Sequence, residues 1–353
     1  MSRRVAERAL VTGGAGFIGS NLADRLACEG CRVTLLDNLA RPGVRRNLDW
    51  LVARHGEQIT FVRGDVGDGP TVVGAVADAD VVFHLAAQVA VTTSLVDPAD
   101  DLRTNLLGTF QVLEAARPRR TPVVFASTNK VYGDLADVAL SPAPGDDGYL
   151  PTDPDLRAHG VAETRPLDFH TPYGCSKGAA DQYVLDYARS FDLPTCVLRM
   201  SCIYGPRQMG TEDQGWVAHF LISALAGRPI SVFGDGWQVR DILHVDDVVD
   251  AYLGAWRRIG QAQGQAFNIG GGPANAVSLR QVLAEVEALA QRPLDLTFAP
   301  WRQGDQRYFV ADHRKARAVL GLPAPRAWRD GIADLAAWLQ SQDASGLITG
   351  RAA

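Results

Sequence analysis

Residues 9 to 19 constrain this chain more than any others. A short apolar run, Ala9–Thr12, passes directly into Gly13-Gly14-Ala15-Gly16-Phe17-Ile18-Gly19, and an amphipathic stretch, Phe17–Cys28, follows. Glycines at this spacing allow a tight turn and let the backbone approach a ligand closely. A helix starting near Gly16 offers free N–H groups and the positive end of its dipole to an anion. Between a strand and a helix, the turn predicts a pyrophosphate site and the first βα unit of a doubly wound parallel sheet, a Rossmann α/β fold.

The pattern continues accordingly. Apolar runs at Arg32–Leu36, Ile59–Val62, Val81–Leu85, Val123–Ala126 and Thr195–Arg199 alternate with helical stretches at Thr71–Ala77, Leu102–Ala116 and Pro172–Phe191. Runs this short and this apolar are strands buried on both faces. After Gly205 the order changes, with helical stretches at Trp216–Ala226, Val245–Arg257, Ser278–Ala290 and Trp328–Leu339, and a strand at Ala266–Ile269 that rejoins the first sheet. The expected division is a dinucleotide-binding domain of residues 1–200 plus 241–270 and a smaller lobe of residues 201–240 plus 271–345. Asp134–His170 reads as one long loop, and loops of that length in compact domains are commonly functional.

Composition narrows the partners. The net charge of −5 and the absence of a basic cluster argue against nucleic acid and anionic membrane. No apolar run is long enough to span a bilayer, and residues 1–8 carry no signal-peptide core. Five scattered cysteines suit a reducing compartment, so the expected location is cytoplasmic. Cys28-x-x-Cys31 has no second Cys/His pair near it, and no metal site is expected.

Specific side chains extend the cofactor reading. Asp37 ends the second strand 18 residues past Gly19. That position suits a carboxylate accepting ribose hydroxyls, and it favours NAD over its 2′-phosphorylated form. Asp65, after the third strand, is placed to hold the adenine amino group. Leu85, Ala86 and Ala87 leave room for a dinucleotide along the strand ends. Asn38, Arg41, Val66, Asn105, Ser127 and Met200 complete the expected cofactor set, with Gly13, Gly16, Phe17, Ile18 and Gly19. Tyr173 and Lys177, spaced i, i+4, share one helix face. A lysine ammonium there, together with the positive nicotinamide ring of a bound cofactor, would lower the tyrosine pKa and make the phenol a usable base. Thr128 closes the fifth strand at the rim where ligands bind.

The runs TGGAGFIG, FHLAA (Phe83–Ala87), STNKVYG (Ser127–Gly133), YGCSK (Tyr173–Lys177) and YGP (Tyr204–Pro206) together resemble the extended short-chain dehydrogenase/reductase family of NAD-dependent nucleotide-sugar epimerases and dehydratases. The resemblance covers nearly the whole chain. It implies a catalytic trio of Thr128, Tyr173 and Lys177, with Tyr173 and Lys177 also touching the cofactor. It implies that Arg240, Arg302 and Asp305 hold the nucleotide's phosphates and ribose. Gln88, Thr128, Gln208, Gln214 and Trp216, with His170, are expected to face the sugar. Cys202 departs from the family's usual Asn. Related enzymes pair the helices that match Leu102–Ala116 and Pro172–Phe191, which implies a homodimer or homotetramer.

Asn129-Lys130 follows Thr128 where dehydratases of the family carry carboxylic acids. Elimination of water needs such an acid; epimerisation does not. STNKVYGD, the segment LDFHTPYGCSKGAADQY and DQGWV (Asp213–Val217) resemble the CDP-tyvelose 2-epimerase group within the family, as does the long insertion. That resemblance implies a CDP-linked hexose inverted at C2. A 4-epimerase on another nucleotide sugar is the runner-up. A non-catalytic NAD-binding protein is disfavoured, because all three catalytic positions carry suitable chemistry.

Overall fold

The computed structural model describes residues 7–143 and 148–342. Its seven-stranded sheet contains β1 (Arg8–Thr12), β2 (Arg32–Asp37), β3 (Ile59–Arg63), β4 (Val81–His84), β5 (Val123–Thr128), β6 (Thr195–Met200) and β7 (Gln265–Ile269). The order across the sheet is β7-β6-β5-β4-β1-β2-β3, and every neighbouring pair is parallel. β7 pairs with β6 and so rejoins the sheet as the sequence predicts. β4 and β5 are buried at every residue, which is why they read as unbroken apolar runs.

Helices Phe17–Cys28, Val44–His55 and Val245–Arg257 cover one face through Leu22, Leu26, Leu48, Leu51, Val248 and Tyr252. Helices Gly69–Val76, Gly108–Ala116 and Thr171–Phe191 cover the other through Val72, Val112, Leu113, Ala180 and Val184. Strand order reverses between β1 and β4, so the crevice where such sheets bind ligands opens at their carboxyl ends. Thr12 ties those ends together. Its Oγ1 meets His84 Nδ1 at 2.7 Å and accepts the N–H groups of Leu85 (3.2 Å) and Ala86 (3.1 Å).

The smaller lobe has its own core, formed by helices Trp216–Ala226, Leu279–Ala290 and Trp328–Ser341 around Phe220, Leu221, Val282, Ile332 and Leu335. Its four-stranded sheet is centred on Val239–His244, which pairs with Cys202–Tyr204, Ala276–Ser278 and Tyr308–Phe309.

Three features differ from the sequence reading. Val44–His55 is a helix that charge disguised: only Val44, Asn47, Leu48 and Leu51 face inward. The single helix expected over Leu102–Ala116 is broken by a π-helical stretch at Arg103–Leu107. Asp134–His170 is not a plain loop. It carries a hairpin, Leu140–Pro142 with Tyr149–Pro151, and a helix, Pro154–His159, capped by Asp153. Tyr149 fastens the hairpin to the smaller lobe through its hydroxyl on Asp235 and its N–H on the Trp237 carbonyl. Cys31 is buried in the core, whereas Cys28 clusters with Asp24 and His55. Arg54 pairs with the same Asp24 carboxylate and already offsets its charge.

One buried ion pair braces the strands beneath the crevice. Arg199 on β6 makes a two-point contact with Asp181, Nε to Oδ2 at 2.9 Å and Nη2 to Oδ1 at 2.8 Å. Ser127 donates to the same carboxylate at 2.7 Å, and Arg199 also donates to the Tyr132 hydroxyl at 3.0 Å. Removing one partner leaves a buried charge uncompensated. Arg199→Met should therefore lower stability by about 3–5 kcal/mol in urea unfolding. A loss below about 1 kcal/mol would show that Asp181 finds water or a proton cheaply.

Candidate active site

The glycine turn is a cradle that side chains would fill. Gly13 sits at φ +67°, and a Cβ there would lie 2.8 Å from the Ala86 nitrogen. A Cβ on Gly19 would run into the Gly13 carbonyl oxygen, which fixes the helix close against the turn. Gly16 caps that helix with no side-chain hydrogen bond, and no acidic residue stands in the first turn. The N–H groups there are left to meet an anion.

Asp37 stands at the end of β2 and accepts N–H groups from Ala15 (3.1 Å) and Leu39 (2.8 Å). It therefore caps the glycine turn while remaining partly exposed. Burial nevertheless holds its carboxyl above the usual carboxylate value. Asn38 donates to Asp65 at 2.7 Å, so the two polar residues expected at the adenosine end touch each other. Arg41 bonds to Gln214 and links the β2 end to the smaller lobe. Val66 is buried against Gly108, Met200 accepts the Tyr252 hydroxyl at 3.6 Å, and Ser127 is committed to Asp181.

Thr128 ends β5, and its Oγ1 accepts the Lys130 N–H at 3.2 Å. Tyr173 and Lys177 lie on the first turns of helix Thr171–Phe191, and both are buried. The helix enters through Thr171, a β-branched residue held at φ +63°, two residues before Tyr173. Such a conformation costs on the order of 1–3 kcal/mol and recurs where a functional group must be aimed. Ser94 Oγ receives the Tyr173 N–H at 3.2 Å. Thr128 stands close enough to the Tyr173 phenol to favour its ionised form. Lys177 Nζ donates to the Ala126 carbonyl at 2.6 Å and lies 4.2 Å from the centre of the Phe125 ring.

Burial opposes the expected tyrosine shift. It pushes the Tyr173 phenol up to about 12, and the Thr128 hydroxyl pulls the other way. It also pushes the Lys177 ammonium down to about 7, against the attraction of Asp181 and Asp101. At neutral pH only part of Lys177 carries its charge, so its support for a phenolate is partial and burial is the larger effect on Tyr173.

Behind the trio runs a buried polar network that the sequence did not reveal. Asp101 accepts from Ser176 Oγ (2.5 Å), Gln88 Nε2 (3.0 Å) and Asn105 Nδ2 (3.0 Å). Asn105 also joins Gln88 through its backbone N–H (2.9 Å) and carbonyl (3.0 Å). Gln88 and Asn105, expected on substrate and cofactor, thus hold the β4 end against the helix carrying Tyr173. Their chemistry is legible in sequence; their pairing across 17 residues through a π-helical stretch is not.

In the smaller lobe, Arg240 and Asp305 pair at 2.7 Å, with Gln306 N–H on the same Asp305 oxygen at 2.9 Å. Arg302 lies 3.7 Å over the Phe233 ring and donates to the Glu212 carbonyl at 2.9 Å. Trp216 Nε1 donates to Cys202 Sγ at 3.4 Å. Gln208 is buried, donating to the Ile203 carbonyl at 3.0 Å, and its Oε1 has no partner among the described residues. His170 lies against Asp168 at 3.1 Å and Asp134 at 3.6 Å. Lys130 joins the Arg240–Asp305 pair, and sequence reasoning gave it no role. The one available signal was its place two residues after Thr128.

Lys177 makes stability depend on pH. Its folded pKa near 7 lies below the ordinary 10.5, so below pH 7 both states are charged and the full burial penalty is present. Between pH 7 and 10 the folded protein has lost a proton that the unfolded chain keeps, so stability rises with pH. From pH 7 to 9.5 the cofactor-free protein should gain up to roughly 3 kcal/mol relative to Lys177→Met, by paired urea titrations. Parallel pH curves for the two proteins would contradict this assignment.

Comparison with known proteins places this geometry. Residues 9–270 match the NAD dependent epimerase/dehydratase family. The chain is 40% identical to CDP-paratose 2-epimerase of Salmonella typhi over 94% of its own length and 99% of that protein. It is 37% identical to UDP-glucose 4-epimerase of Mycolicibacterium smegmatis, over 92% of this chain and 96% of that one. Among solved structures, UDP-glucose 4-epimerase of Thermus thermophilus, in complex with NAD, superposes with a TM-score of 0.78 at 32% identity, covering 94% of this chain and 99% of that one. With a match over most of its length and a crevice at the β1/β4 reversal, the chain belongs to the NAD dependent epimerase/dehydratase family.

Proposed function

We propose that the chain epimerises a nucleotide-linked hexose, specifically at C2 of a CDP-hexose, through a transient keto sugar and with tightly held NAD. One observation carries the epimerase reading. The positions after Thr128 hold Asn129, bonded to Gln306 Oε1 at 3.1 Å, and Lys130, bonded to the Gly304 carbonyl at 3.0 Å. Neither is the carboxylic acid that expulsion of water requires. The cytidine base and the inverted carbon rest on similarity to a protein named CDP-paratose 2-epimerase. A 4-epimerase acting on UDP-glucose is the second reading, favoured by the likeness to enzymes of that name.

The residues present fit NAD. The turn at Gly13, Gly16 and Gly19, with the helix start at Phe17 and Ile18, would hold the pyrophosphate. The partly exposed Asp37 would take the ribose hydroxyls. When bound, NAD would supply the hydride acceptor for oxidation, the donor for its return, and the positive charge of its oxidised nicotinamide. Tyr173 accepts the sugar hydroxyl proton as the carbinol is oxidised, and returns it when the ketone is reduced. Bringing its phenol from about 12 to neutral pH needs roughly 7 kcal/mol of phenolate stabilisation. Thr128 contributes by hydrogen bonding, and Lys177 contributes only while it stays protonated. Arg240, Arg302 and Asp305 hold the nucleotide, leaving the hexose free to present either face.

Oligomerisation is part of the proposal. Leu102, Leu107 and Phe110 on one segment, and Tyr183 and Phe191 on helix Thr171–Phe191, are large and exposed. These are the two segments expected to pair with a second copy, as homodimer or homotetramer. No helix among the described residues is long and apolar enough to cross a membrane, and all five cysteines are free, which suits the cytoplasmic reading. Light scattering at micromolar concentration should give a mass of at least two 38.0 kDa protomers. A single 38.0 kDa species would contradict it.

Substrate deuterated at C2 tests the mechanism. Direct return of hydride keeps the label on the inverted carbon, by mass and NMR. Tyr173→Phe should lower turnover by about 10²-fold or more with little loss of NAD binding. Loss of label to solvent would point to deprotonation beside a carbonyl, and steady accumulation of free NADH would indicate a net dehydrogenase.

A further inference from the structure

Lys130 sits where the two halves of the cleft meet. Its backbone is fixed by its N–H bond to Thr128 Oγ1, at the start of the turn Asn129–Tyr132. Its side chain runs toward the smaller lobe. Nζ donates to the Gly304 carbonyl at 3.0 Å and lies 3.9 Å from Asp305 Oδ1. That oxygen already receives Arg240 Nη2 at 2.7 Å and the Gln306 N–H at 2.9 Å. Lys130 is therefore a loose third partner of Asp305, at a distance beyond a hydrogen bond. An ammonium has three donors, and one is used within the protein at hydrogen-bond distance.

The surroundings leave those remaining donors partly accessible. The side chain is 22% exposed, so its tip is neither free in solvent nor sealed in the core. Burial pushes its ammonium down to about 8, so the charge is held at a cost near neutral pH. Cys202 and Arg240 lie close enough to act on it electrostatically. Cys202 itself receives the Trp216 indole N–H, and its short thiol replaces the family's longer amide on this wall.

We propose that Lys130 is a substrate-holding residue: its ammonium donates to a hexose oxygen next to the reacting carbon and keeps the keto sugar in the cleft between the two hydride transfers. This rests on the epimerase reading. In such a reaction the ketone must release one face and present the other while the nucleotide stays bound. Tyr173, by then protonated, can donate to the ketone oxygen only until the sugar turns away from it. A fixed cation between Thr128 and the Arg240–Asp305 pair is placed to hold it. While charged, that group can donate a hydrogen bond but cannot take up a proton, so it holds the ketone without enolising it.

Lys130→Met and Lys130→Arg, each purified with its NAD and compared with wild type, test the proposal on CDP-hexose. Without the donor, some keto sugar should escape before hydride returns. Lys130→Met should therefore accumulate enzyme-bound NADH during turnover, seen in its near-ultraviolet absorbance. Keto sugar should appear in solution, trapped as its oxime by hydroxylamine. Its kcat should fall about 10- to 100-fold, the effect of losing one charge-assisted hydrogen bond, with KM changed far less. Lys130→Arg, which keeps the cation, should suppress most of the NADH signal. Wild-type kcat in Lys130→Met, or a raised KM and lowered melting temperature without bound NADH, would overturn the proposal and leave Lys130 a brace for the Gly304 loop. Failure of wild type to epimerise any nucleotide sugar would instead overturn the functional reading, and this inference with it.

Discussion

The rest of the structure depends on how closely the Gly13 turn approaches the end of β4. The Gly13 position lies against the Leu85–Ala86 backbone, and Gly19 packs onto the Gly13 carbonyl. Thr12 locks the two strand ends by receiving the Leu85 and Ala86 N–H groups. A side chain at either glycine would force β1, β4 and the first helix apart. That would open the sheet where its order reverses, and the crevice would lose its floor. Asp37 then fixes the turn from the other side through the Ala15 N–H, so one carboxylate shapes the cradle it borders.

Above that floor, burial governs the chemistry more than charge pairing does. It raises the Tyr173 phenol and lowers the Lys177 and Lys130 ammonium groups, so each of these side chains is pushed toward its neutral form. The strongly paired ions, Arg199 with Asp181, lie one layer below and stiffen the strands. A site in this condition is poised to respond to a charged ligand: a positive charge brought near Tyr173 would favour the phenolate far more in a dry cleft than in water. Activation of the tyrosine would then be completed by cofactor binding.

Much of the fold was legible because its signals are local. The buried strands announce themselves as apolar runs, and the glycine spacing marks the turn without knowledge of anything distant. Helix Val44–His55 escaped because its inward face is one narrow stripe in a charged segment. The hairpin at Leu140–Pro151 escaped because its partner, the Asp235–Trp237 turn, lies far away in sequence. The same division holds at the site. Thr128, Tyr173 and Lys177 stand at recognisable spacings, whereas the Gln88–Asp101–Asn105–Ser176 network and the approach of Lys130 to Asp305 exist only after folding. The shift in the cofactor-free protein was hidden for a related reason: helical spacing shows that a lysine is near, but not how deeply it and the tyrosine are buried.

The central claim is that this crevice inverts one carbinol of a nucleotide sugar by moving a hydride out and back without solvent exchange. Incubating the protein with CDP-, UDP-, GDP- and dTDP-hexoses in deuterated buffer tests it most directly. The account predicts that CDP-hexose alone is turned over efficiently, that C2 is the carbon inverted, and that the product carries no solvent deuterium. Inversion at C4 of a UDP-hexose would contradict the assignment of base and carbon. Deuterium at the inverted carbon, or loss of water from the sugar, would contradict the mechanism itself.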